Sequence, residues 1–95
     1  MGVLMGAKVR VRLFHELRNQ LGQSELELEA NTLSDVIESL ITKQNTVKEL
    51  LFDSKGRLRR YTLFYVNNAI LNPPNLAKKL NDGDLVLMVP PAAGG

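Results

Sequence analysis

The sequence closes on Pro90-Pro91-Ala92-Ala93-Gly94-Gly95, and its last residue is the one best suited to chemistry. A terminal glycine has no Cβ, so nothing bulky shields its carbonyl carbon, and two glycines in a row accept any backbone conformation that a narrow cleft demands. When such a carboxylate attacks the α-phosphate of ATP, pyrophosphate leaves and a mixed anhydride forms. A sulfur or amine nucleophile can then displace AMP from the acyl carbon. The two prolines lack N–H donors and hold φ at about −65°, which predicts an extended lead of about 3 Å per residue. The carboxylate is expected to stand clear of the body, with Gly95 as the reacting residue and Gly94 as the clearance behind it.

The remaining composition removes competing chemistries. The chain carries neither a phosphate-binding glycine loop nor a nucleophile, so any activation has to come from a partner. It contains no cysteine, which excludes disulfides, thiolate metal sites and a thioester on a thiol of its own. With His15 as the only histidine, a histidine metal cluster or a serine–histidine–acid triad lacks its parts. No metal site and no bound cofactor are expected, and the chain reads as a carrier rather than an enzyme. A net charge of +2 is too small for nucleic-acid binding through many neutralised phosphates. Met1 to Ala7 lacks the basic start and the length of a signal peptide, Met5 being an alternative initiator. No run approaches the roughly 20 apolar residues that span a bilayer. A cytoplasmic protein is expected, with one domain in 95 residues.

Something must position that tail, and the patterning says what. Residues 8–14 alternate in period two, so Val9, Val11 and Leu13 point one way and Arg10, Arg12 and Phe14 the other. Residues 16–21 suit a short helical turn stopped by Gly22. Residues 24–29 alternate again and predict a second strand, antiparallel to the first, that buries Leu26 and Leu28. The period then changes. Leu33, Val36, Ile37, Leu40 and Ile41 form the stripe of an amphipathic helix, with Thr32 as N-cap and Asp35 at its positive end. Val47, Leu50 and Leu51 predict one more helical turn, followed by an exposed turn at 53–57.

Tyr61 to Val66 reads as the strongest strand and, being apolar on both faces, as a central one. Asn67-Asn68 predicts a tight turn into a short strand, 69–71. Residues 72–75 break regular structure, 76–80 predict a single helical turn, and Gly83 is the positive-φ residue of a turn before the last strand, 85–89. This order predicts an α+β fold of the β-grasp type, a mixed sheet packed on one main helix. The expected organisation is a disordered extension over residues 1–7, a domain over 8–89 and a flexible diglycine tail over 90–95.

The stretch from Asp82-Gly83-Asp84 through Leu85 to Gly95 resembles the C-terminal signature of the MoaD family, small subunits of molybdopterin synthase, and so the wider MoaD and ThiS type of sulfur carrier. Leu13-Phe14-His15-Glu16-Leu17-Arg18 and Leu21-Gly22 are similar to the family's first strand and turn. Phe52-Asp53, Gly56 to Arg59 and Val66-Asn67-Asn68 resemble its longer members, including archaeal ones. The resemblance covers about residues 8–95 and departs from pattern at Asn68, where glycine is usual, and in the 72–75 loop.

It implies the ubiquitin-like β-grasp fold. It implies activation by an adenylating enzyme of the ubiquitin-activating type, which uses ATP to convert Gly95 to an acyl-adenylate and then a thiocarboxylate. It implies insertion of the tail into the large subunit of molybdopterin synthase, with Phe14, Ile70, Leu87, Val89, Pro90 and Pro91 in partner binding, on the sheet face turned from the helix. Two other acceptors share fold and tail. One is a lysine of a target protein, as for the archaeal small modifier proteins; the other is the sulfuration of thiamine or tRNA. Arg57, Arg59 and Arg60 form a basic cluster that reads as a solvated loop, or as a contact for an acidic partner or RNA.

Overall fold

The computed structural model describes residues 6–90. The expected extension and tail fall largely on 1–5 and 91–95, outside the described residues. The ordered body nevertheless starts earlier than the predicted residue 8: β1 spans Ala7–Leu13, with Ala7 opposite Ala30. Gly6 is already so close that a Cβ there would meet the Ala30 amide nitrogen at 2.8 Å.

After β1 come α1 (His15–Leu21), β2 (Glu25–Ala30), α2 (Leu33–Lys43), α3 (Val47–Leu51), β3 (Leu63–Val66), β4 (Ala69–Ile70) and β5 (Leu85–Val89). The five strands form one sheet in the order β2-β1-β5-β3-β4. β1 runs parallel to β5, and the other neighbours are antiparallel. This is the mixed sheet of an α+β, β-grasp fold.

Each helix forms where its caps allow. Gly22 closes α1 in the left-handed region at φ 72°, its N–H bonded to the Arg18 carbonyl. α2 starts with a full capping box, in which Thr32 Oγ1 accepts from the Asp35 N–H and the Asp35 carboxylate accepts from the Thr32 N–H. Two otherwise orphaned donors are satisfied at once. The stripe Leu33, Val36, Ile37 and Leu40 lies buried against Val9, Val11 and Leu13 of β1, Leu28 of β2, Phe64 and Val66 of β3, and Val86 and Met88 of β5.

Three expectations need correction. The segment 76–80 is not a helical turn. The carbonyls of Lys78 and Leu76 accept from the Leu33 and Ser34 N–H groups, and Leu80 N–H donates to Asn31. Backbone groups that a helical turn would use internally serve instead the open donors at the start of α2. The strand predicted over 61–66 begins at Leu63, because Tyr61 turns the chain at φ 69°. β3 does lie inside the sheet as expected, between the two-residue β4 and β5, and β5 is the strand in the middle. β4 itself stops at Ile70, before Leu71. Among the described residues no helix is long and apolar enough to cross a membrane.

Candidate functional site

The outer face of the sheet, turned from α2, divides into two halves. One row crosses all five strands as Glu25, Arg12, Leu87, Tyr65, Ile70 in consecutive register. The β2 and β1 end of that row is charged; the β5, β3 and β4 end is apolar. Leu63 faces Val89 in the next row, and Leu85 sits beside Arg10. Leu63 and Ile70 are exposed, and Tyr65, Leu85, Leu87 and Val89 are half-buried. None of the six joins the core cluster. Here is an apolar surface of one contiguous half-sheet, of the kind that marks a protein contact.

Phe14 follows Leu13, which is buried and opposite Met88, so alternation turns Phe14 outward near Val89. It is half-buried and caps α1 from an extended conformation. The structure therefore brings Phe14, Ile70, Leu87 and Val89 to one face. Pro90 is buried rather than offered to solvent, so the body extends one residue beyond the expected boundary. Pro91, Gly94 and Gly95 lie outside the described residues.

Patterning had singled out only part of this surface. Leu63, Tyr65 and Leu85 belong to it as well, and the signal was present in the two strands that read as apolar on both faces.

The start of β5, the strand that ends at the tail, is held by a polar clasp. Asn67, at φ 51° in the turn to β4, donates from Nδ2 to Asp84 Oδ1 at 2.8 Å and accepts at Oδ1 from the Leu85 N–H at 2.9 Å. Asp84 is buried and also accepts from the Asn81 N–H. Its own carbonyl takes the Arg10 N–H. The clasp ties the β3–β4 turn and β1 to the start of β5, fixing the strand that ends at the tail.

The charged half is bound to itself. Arg12 Nε meets Glu25 Oε1 at 2.8 Å, and Arg10 lies 3.8 Å from the same carboxylate. The hydrogen bond from Arg12 holds the Glu25 carboxyl below its ordinary value, with the Arg10 charge adding to the effect. On the 53–57 turn the Asp53 carboxyl is likewise lowered, chiefly by the Arg57 N–H it accepts.

The geometry defines a small β-grasp body with a one-sided apolar face that reaches Val89, the last residue of β5. The ThiS family model matches residues 11–95, and the chain belongs to the ThiS family. Its sequence is 35% identical over 77 residues to the sulfur carrier protein CysO of Mycobacterium tuberculosis, covering 78% of this chain and 83% of that one. Among solved structures, small archaeal modifier protein 1 of Methanosarcina acetivorans superposes with a TM-score of 0.81 at 31% identity, over 98% of this chain and 100% of that chain. A chain of the BexX/CysO complex of Amycolatopsis orientalis superposes with a TM-score of 0.75 at 26% identity, over 92% of this chain and 99% of that chain. The fold is thus the ubiquitin-like β-grasp, and the family is one of sulfur carriers and ubiquitin-like modifiers.

Proposed function

We propose that this chain is a sulfur carrier whose Gly95 carboxylate is adenylated by a ubiquitin-activating-type enzyme and converted to a thiocarboxylate. ATP is consumed by that partner: the carboxylate oxygen attacks the α-phosphate, pyrophosphate departs, and a sulfur nucleophile displaces AMP. The acceptor side of the proposal is molybdenum cofactor biosynthesis. There the chain acts as small subunit to the large subunit of molybdopterin synthase and hands its sulfur to the pterin precursor.

The observation that carries the carrier reading is the apolar half-face of β5, β3 and β4 beside the root of the tail. A partner seated on it holds the strand from which the tail emerges and so directs the last residues into its own cleft. The acceptor is supported by the likeness of 82–95 to the MoaD signature.

A second reading is favoured by the 31% identity to small archaeal modifier protein 1. In it, an amine of a target lysine displaces AMP in place of sulfur, leaving the chain conjugated through Gly95.

The test is mass spectrometry on the protein recovered from its own cells. A free chain with sulfur in place of one terminal oxygen supports the carrier. Tryptic remnants of residues 80–95 on lysines of many proteins, without that species, overturn it in favour of the modifier. Deletion of Gly94-Gly95 is expected to abolish adenylation while shifting Tm by less than about 2 °C, because glycine has no side chain to bury. Pulldown of the large molybdopterin synthase subunit by the intact chain checks the acceptor, and failure of that binding overturns it.

A further inference from the structure

Among the described residues the exposed large apolar side chains are Tyr61, Leu63 and Ile70, and all three line one groove of about 480 Å³. Its walls are the segment 58–63 leading into β3 and the segment 70–74 leaving β4.

Three features distinguish it from ordinary surface. Tyr61 sits in the left-handed region at φ 69°, which bulky residues avoid, and the residue is 80% exposed. Strained backbone of this kind gathers at binding sites. Arg60 lies over that ring, 5.9 Å from its centroid, and Arg59 is oriented by a hydrogen bond from Nε to the Glu49 carbonyl at 2.8 Å. Neither pairs with an acid among the described residues, whereas Arg57 lies 3.8 Å from Asp53. Thr62 is 6% exposed, and its Oγ1 has no hydrogen-bond partner among the described residues. A buried hydroxyl in that condition is costly, and a water or a polar group of a bound partner relieves it.

We infer that this groove receives an acidic, apolar-flanked segment of the enzyme that activates the tail. Carboxylates of the segment meet Arg59 and Arg60, and its apolar side chains cover Tyr61, Leu63 and Ile70. The inference rests on the carrier reading and deepens it by naming what the partner presents. Two arguments select this occupant. Among the described residues no acid lies within ion-pair distance of Arg59 or Arg60, although the Arg59 charge reaches the Asp53 carboxylate. The groove is also continuous with the docking face, since Leu63 faces Val89 in register, one residue before the tail leaves at Pro90. A partner gripping the tail stands over the groove. The rim of Leu63 and Ile70 suits a peptide better than a nucleic acid, which would use several stacking rings.

The test titrates the full ¹⁵N-labelled chain with the purified adenylating enzyme of the same cells. Enzyme binding is expected to broaden amides of 59–62 and 70–72 together with those of 85–89. The R59E/R60E variant is expected to bind about tenfold more weakly, with a flattened salt dependence, and K78E/K79E, the same charge change near the start of α2, within about twofold of wild type. Broadening at 85–89 alone, or equal losses in the two variants, overturns the groove and leaves the carrier reading standing. No broadening anywhere overturns both. Groove shifts caused by a second copy of the chain as its concentration rises, or by an RNA oligomer in preference to the enzyme, overturn it in favour of that occupant.

Discussion

Arg12 and Glu25 face each other at the boundary where the charged half of the outer sheet meets Leu87, and their pairing has a measurable titration. The Glu25 carboxyl lies below its ordinary 4.5 because Arg12 donates to it. A carboxyl lowered by folding stabilises the protein fully above that ordinary value, and its contribution disappears as pH falls through the folded-state value. The Arg12→Ala variant is therefore expected to bring the Glu25 titration back toward 4.5 by carboxylate NMR, with stability at pH 7 little changed because the pair is exposed. At the same scale, strict alternation through Val9 to Phe14 made each side chain's face legible from the sequence. Tyr61 was not legible. Its aromatic ring favours a strand, and nothing local announces the left-handed φ by which tertiary packing turns the chain there.

Among the elements, α2 is the best specified, because its periodic stripe, its N-cap and its first-turn acid all agree. Replacing Thr32 with Ala removes one arm of the capping box and is expected to cost about 1 kcal/mol in urea denaturation with an unchanged m value. The segment 76–80 shows the opposite case. Leu76, Ala77 and Leu80 carry helical preference, but five residues cannot outweigh a costly helix nucleus when their carbonyls have partners on α2. Those partners are remote in sequence, so the pattern around Leu76 held no trace of them. The central position of β5 was equally hidden. Leu85 to Val89 and Leu63 to Val66 are both apolar on two faces, and only the parallel pairing of β1 with β5 decides which lies in the middle.

For the whole molecule, the helices and strands that patterning supplied suffice for the β-grasp, since one amphipathic helix can bury its stripe against only one face of the sheet. The other face is then free to be divided between the self-paired charges of β1 and β2 and the apolar residues of β5, β3 and β4. Leu87 sits in the middle of that division, flanked by Arg12 and Tyr65. The Leu87→Asp variant is expected to weaken binding to the adenylating enzyme by about 2 kcal/mol or more in calorimetry, with Tm close to that of the parent because the residue lies outside the core. Wild-type affinity in that variant removes the half-face from the interface. The placement of Phe14, Ile70, Leu87 and Val89 on one outer face was legible through alternation and family likeness together. The groove at Tyr61 depended on a turn that neither could supply.

The position of β5 also has a mechanical consequence. Any force applied through Gly95, by an unfolding machine or by a tethered target, arrives at Val89, the end of the strand bonded on both sides. β1 runs parallel to β5, so a pull between the start of β1 and the end of β5 slides the two past each other. Their hydrogen bonds are then loaded together and not peeled one at a time, so traction along this line meets the whole β1–β5 ladder at once.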